Sequence, residues 1–226
     1  MKINATLQKL ISEFLGVTLF LIAIVGSVSH SHAGMNFSLI IPQLSLAVTL
    51  GLAILITGGI SGGHLNPAVS LFFYARKELS LRDFVLYVLA QIGGGLFGAF
   101  IGLQLWGLNV ASIVPGVTPS PAILLGEWVA TGGLVFLIGF MISTKRANLI
   151  PFAVAAWVFS AASFTQSGAQ ANPAVTVALL LNGQSIAETG WIVIAELVGL
   201  LTGILGLMVF TAKPAKAKSI KKTAKK

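Results

Sequence analysis

The stretch Ser61-Gly62-Gly63-His64-Leu65-Asn66-Pro67-Ala68-Val69 has a second copy in Ser167-Gly168-Ala169-Gln170-Ala171-Asn172-Pro173-Ala174-Val175. Both are rich in small residues, both reach Asn-Pro-Ala-Val, and both then enter an apolar segment. Asn followed by Pro is a helix start, because the Asn side chain accepts a free backbone N–H and Pro lacks one. The apolar continuation lasts about ten residues, half of the roughly 20 needed to cross a bilayer. Each copy is therefore expected to be a half-helix, about 67–76 and about 173–181, that begins at membrane depth.

Membrane depth follows from composition. The chain is 56% hydrophobic and 9% charged, with a mean hydropathy of +0.94, where a soluble domain carries about 25% charged residues. There is no cysteine, which excludes disulfides, thiol catalysis and Cys-ligated metals. The net charge of +8 is no nucleic-acid footprint: seven of the 14 basic residues lie in 213–226 and the others flank apolar segments. That distribution describes a solvated cytoplasmic tail beside anionic lipid.

Six full spans are expected at about 7–29, 37–57, 82–106, 122–143, 149–165 and 187–211. Lys2 and Lys9 before the apolar run 14–28 imitate a signal peptide, but Glu13 at its edge and the matching Glu127 later mark a retained helix. Breakers at Pro115, Gly116, Pro119 and Pro121 make the connection 107–121 a loop. The order span, span, half-helix, span then fills about 7–106 and again about 122–211. Three spans per repeat is an odd number, so the second repeat enters the membrane in the opposite sense. This gives an all-α membrane fold of two inverted repeats in one membrane domain over 1–212, followed by the basic tail 213–226.

The charges test that topology separately. With the N-terminus inside, segments 1–9, 76–82, 145–146 and 213–226 hold every Lys and Arg. The outer loops, about 30–36, 107–121 and 166–186, hold none, as the positive-inside rule requires.

Non-helical backbone at membrane depth is tolerated only when buried in protein or lining a wet cavity. The approaches through Gly58-Gly59, Gly62-Gly63 and Gly168 would pass as extended strands, exposing carbonyls to a permeant. Two half-helix N-termini at one level raise the energy of a cation there, and Asn66 and Asn172 add N–H donors. With no midplane row of charged side chains, such a path suits small uncharged hydrogen-bonding molecules.

The paired Asn-Pro-Ala in inverted repeats, Ser-Gly-Gly-His-Leu-Asn-Pro-Ala-Val, and a Glu opening each half resemble the major intrinsic protein family of aquaporins and aquaglyceroporins over about residues 7–211. The resemblance implies a pore in every protomer of a homotetramer, passive flux and no cofactor. Its central constriction is formed by Asn66, Pro67, Ala68, Asn172, Pro173 and Ala174. The acceptor ladder falls on the carbonyls of Gly62, Gly63, His64, Gly168 and Gln170. The family's outer selectivity filter maps by ungapped counting onto Leu46 (or Thr49, one turn on), Ser160, Ala169 and Val175. Most members carry Arg where Val175 stands, and many have His or an aromatic at two of the other positions. The implied filter is thus wide and uncharged, which suits glycerol, urea or neutral metalloid hydroxides such as arsenite. Thr176 stands where glycerol-conducting members usually have Asp, so the chain does not fall simply into that branch.

Other readings of the same residues are blander or belong to another class. Glu13 and Glu127 are intramembrane acids; a proton relay is open to them, but their symmetric placement favours holding backbone N–H groups of their own re-entrant loop. His64 is a candidate pH gate, though the resemblance assigns it a carbonyl role. His30 and His32 in the short outer loop offer only two ligands, a poor metal site. Glu188 is placed at the outer end of the last span, and Glu196 deeper, with no role assigned. Gly93-Gly94-Gly95, Gly98, Gly132-Gly133, Gly199 and Gly203 point to close helix packing rather than a phosphate loop, since no Gly-Lys-Ser/Thr follows. An alternating-access transporter shares inverted repeats but usually carries midplane ion ligands. A membrane enzyme would need clustered His, Asp or Glu, and Asp83 is the only Asp.

Overall fold

The computed structural model describes residues 4–32 and 40–212. Its helices are α1 (Ala5–His32), α2 (Ile40–Ser61), α3 (Pro67–Ala75), α4 (Leu81–Leu105), α5 (Pro121–Ser143), α6 (Ile150–Phe164), α7 (Pro173–Ala178) and α8 (Ile186–Thr211). Among the described residues six are long and apolar enough to span a bilayer, α6 together with the 3-10 turn Ala147–Leu149 before it, while α3 has nine residues and α7 six, continued by the 3-10 turn Leu179–Asn182. The protein is an integral, multi-pass membrane protein, all-helical with two half-helices among the described residues.

Two expectations need correction. α2 runs through Gly58 and Gly59 to Ser61, four residues beyond its expected end, so only Gly62 and Gly63 belong to the extended approach. A backbone in lipid must satisfy its own hydrogen bonds, and that requirement outweighs the ~1 kcal/mol helix penalty of glycine. The second concerns His30-Ser31-His32, which close α1 rather than forming a loop. Residues 33–39 and the basic tail 213–226 lie outside the described residues.

Within each repeat the first span packs on the last, α1 on α4 and α5 on α8. Glycines make the approach possible. A Cβ at Gly94 or Gly98 would collide with the carbonyl oxygens of Phe14 or Thr18, and one at Gly203 with that of Gly132. Gly98→Val should therefore abolish monodisperse protein in detergent, since overpacking costs about 1–3 kcal/mol even when side chains can yield. Gly190→Ala, where a Cβ meets nothing within 4 Å, should leave the melting temperature unchanged or higher.

α2 and α6 pack across the two halves, and α3 meets α7 with each half-helix touching the last spans of both repeats. The connection 107–120 is tied down over repeat two by Ala111 N–H to the Leu181 carbonyl (2.9 Å) and Ile186 N–H to the Val114 carbonyl (3.1 Å).

Candidate functional site

The half-helix starts have the local geometry their sequence dictates. Asn66 and Asn172 are extended N-caps, and each Oδ1 accepts a bond from the backbone N–H two residues on, Ala68 at 2.8 Å and Ala174 at 3.0 Å. With Oδ1 so committed, each Nδ2 must face the other way. Asn66 Nδ2 donates to the Ala171 carbonyl at 2.8 Å, and Asn172 Nδ2 donates to the Leu65 carbonyl at 2.9 Å. The two repeats are thus cross-linked at one point. A primary amide has two N–H groups, so each asparagine keeps one for another partner.

The loops leading in are matched in conformation. Gly62, Gly63 and Leu65 have positive φ in repeat one, and Gly168, Ala169 and Ala171 in repeat two. Leu65, Ala169 and Ala171 carry a side chain in that region, at a cost of order 1–2 kcal/mol each. The acids supply the restraint: Glu13 accepts from His64 N–H (3.0 Å) and Leu65 N–H (2.6 Å), Glu127 from Gln170 N–H (2.9 Å) and Ala171 N–H (2.7 Å). Both carboxyls are 0% exposed.

Repeat one carries two further supports that the sequence analysis passed over. Gln91 in α4 donates to Glu13 (2.8 Å) and to Ser70 Oγ (2.9 Å), and Tyr87 Oη donates to the Ser61 carbonyl (2.7 Å). Because Ser70 Oγ accepts from Gln91, its own hydrogen is free for His64 Nδ1 at 3.1 Å. The His64 ring is also stacked on Phe73, with centroids 4.4 Å apart. The available sequence signal was a lone polar side chain, Gln91, in the middle of an apolar span.

Two cavities lie against these loops and share Phe20 and Gln170 in their walls. The central one, about 60 Å³, is lined by Gly62, Gly63, His64, Leu65 and Asn66 on one side and by Gln170, Ala171 and Asn172 on the other. Apolar side chains such as Phe20, Leu50, Ile54, Val69, Leu134 and Val154 complete it. The other, called outer after the expected outer-filter residues in its wall, is about 280 Å³ and is lined by Leu46, Ala162, Ser167, Gly168, Ala169, Gln170 and Val175, with Gln43 beside them. Of the expected filter residues, Leu46, Ala169 and Val175 thus share one wall, and Thr49 is absent from it.

Ser160 is not there either. α6 turns Ile150, Val154, Val158 and Ala162 toward the cavities, a stripe at one-turn spacing. Ser160 stands about 200° round the helix from Val158 and is exposed. Ala162, two residues nearer Asn172, occupies the wall in its place. Gln43 is the other omission: its Nε2 donates to the Ala162 carbonyl and its Oε1 accepts from Ser163 Oγ, both at 3.1 Å, bridging α2 to α6.

Comparisons with known proteins point to one family. The family model described as major intrinsic protein matches residues 1–148. The aquaglyceroporin AqpS of Rhizobium meliloti is 32% identical over 216 residues, 92% of either chain. An aquaglyceroporin of Toxoplasma gondii is 33% identical over 210 residues, 89% of this chain and 76% of the relative. The solved aquaglyceroporin of Plasmodium falciparum shares the fold, with a TM-score of 0.74 at 17% identity, over 91% of this chain and 96% of that one. Motif, repeat, fold and relatives converge: this chain belongs to the major intrinsic protein family of membrane channels.

Proposed function

We propose that the protein passively conducts water and small uncharged solutes through the line of the two cavities, with glycerol, urea and neutral metalloid hydroxides such as arsenite as candidate permeants. The observation that carries this is the asparagine pair. Two capped, cross-linked amides stand beside a cavity that is otherwise apolar except for loop backbone, His64 and Gln170. A neutral solute sheds water there and finds donors from the asparagines and acceptors from the loop carbonyls. A cation meets two N-terminal helix ends instead, without a side-chain anion on the cavity wall.

The outer wall supports the wider half of that permeant range. Leu46, Ala162, Ala169 and Val175 are uncharged, and the outer cavity is several times larger than the central one. Two relatives bear the name aquaglyceroporin, which favours glycerol as the first solute to try. The constriction is assigned to Asn66, Pro67, Ala68, Asn172, Pro173 and Ala174, with Glu13 and Glu127 as loop supports. A channel domain over 1–212 with a basic tail 213–226, both termini cytoplasmic and a cell membrane location fit the charge distribution. A homotetramer fits the family and the exposed apolar faces of α5 and α8, such as Trp128, Trp191 and Val198.

Stopped-flow measurements on proteoliposomes test the reading. Water, glycerol and arsenous acid gradients should relax faster than in empty liposomes, with solute flux linear in concentration. Saturating uptake coupled to an ion gradient would instead identify a transporter. Relaxation no faster than bare lipid for every neutral solute would sink the channel.

A further inference from the structure

Glu196 is a buried acid beside the second asparagine that belongs to neither of the paired loop supports. It sits in α8, 0% exposed. Its Oε1 accepts from the backbone N–H of Asn172 at 2.7 Å and from Thr176 Oγ1 at 2.8 Å. Together with Glu127 it holds three consecutive backbone amides, those of Gln170, Ala171 and Asn172.

Repeat one does this differently. Gln91 and Glu196 both stand eleven residues after the serine that caps their helix, Ser80 and Ser185. Ser70 and Thr176 both stand four residues after their asparagine. Gln91 acts as a donor, to Glu13 and Ser70. Glu196 acts as an acceptor, toward Thr176 and the backbone of the asparagine itself. α8 is thereby fastened both to the capping residue of α7 and to its first turn. An intramembrane acid is costly and is placed where it serves a function, and here its bonding atom is spent on the residue whose side chain faces the central cavity.

We propose that Glu196 is a positioning residue for the second asparagine: it clamps the Asn172 backbone so that Nδ2 keeps both its bond to the Leu65 carbonyl and its remaining N–H toward a permeant. The proposal rests on the reading of the asparagine pair as the constriction. What it requires of Glu196 is the acceptor oxygen, so glutamine serves in its place and an apolar side chain does not.

Glu196→Gln and Glu196→Leu, reconstituted as full-length chains, separate this from a merely structural role. Per inserted protomer, E196Q should conduct glycerol and water within about twofold of wild type. E196L should lose about fivefold in glycerol flux, the equivalent of one net hydrogen bond, and should admit sodium. Wild-type flux and sodium exclusion in E196L would overturn the proposal, and so would an E196Q that behaves like E196L. Should E196L fail to assemble, Thr176→Val decides: it removes one of the two bonds, and unchanged flux and sodium exclusion would again overturn the assignment. Hydrogen exchange in detergent gives a readout independent of conduction. E196L should speed exchange across 170–176 and leave 64–70 unchanged, and equal exchange would overturn the clamp. A wild-type protein without flux defeats the channel reading itself, and the exchange result still decides the role of Glu196.

Discussion

Glu13→Leu should eliminate folded protein, the largest loss expected from a single side chain outside the cavities. Glu13 receives four hydrogen bonds: Ser61 Oγ at 2.5 Å, His64 N–H at 3.0 Å, Leu65 N–H at 2.6 Å and Gln91 Nε2 at 2.8 Å. The substitution leaves two backbone donors and one N–H of the Gln91 amide unpaired where water cannot replace the partner. At about 1–3 kcal/mol for each buried group left unsatisfied, the cost is on the order of 3–9 kcal/mol, against a total stability of roughly 5–15 kcal/mol. The left-handed Leu65 (φ 50) would also lose the bond that holds it. Detergent-solubilised E13L should show no cooperative unfolding transition. E13Q, which keeps one acceptor oxygen, should fold with a lowered melting temperature. An E13L protein that melts at the wild-type temperature would show that the loop is held by packing instead.

That dependence also explains what was legible beforehand. The spans were readable because lipid enforces both length and apolarity, and the half-helices because Asn-Pro fixes a cap and a first turn at once. Glu13 and Glu127 could be paired with their loops from symmetry alone. Gln91, Gln43 and Glu196 could not, since a lone polar residue in a span announces a partner without naming it. Ser160 failed for a different reason. Counting twelve residues back from Asn172 crosses the irregular segment 165–172, where chain length says nothing about helix phase. The α6 stripe of Ile150, Val154 and Val158 carries that phase, and it leads to Ala162. Gly58 and Gly59 looked like extended chain from composition. Their backbone is helical, and a Cβ on the returning Gly63 would lie 3.2 Å from Gly58 Cα.

Val175→Arg is expected to turn a broad outer cavity into a strict one. Val175 is fully buried and lies on the wall shared with Leu46, Ala162 and Ala169. Polar side chains already line that cavity at Ser27, Gln43, Ser167 and Gln170, so a guanidinium, with five N–H donors, enters a site that offers acceptors. It would narrow the passage and place a fixed positive charge there. Glycerol, which fills more of the cross-section than water, should lose flux on the order of tenfold or more, each tenfold being ~1.4 kcal/mol of added barrier. Water should lose less than about threefold, and sodium should stay excluded. Val175→Leu separates the two causes, since it adds volume without charge: glycerol flux should drop modestly and sodium exclusion should not change. Equal fractional loss of water and glycerol in V175R would move the limiting barrier elsewhere, most simply to the cross-linked asparagines, where the cavity is already about 60 Å³ against 280 Å³ outside. A selective loss of glycerol makes the outer wall decisive, and residue 175 then sets the size of what passes while Asn66 and Asn172 set its charge.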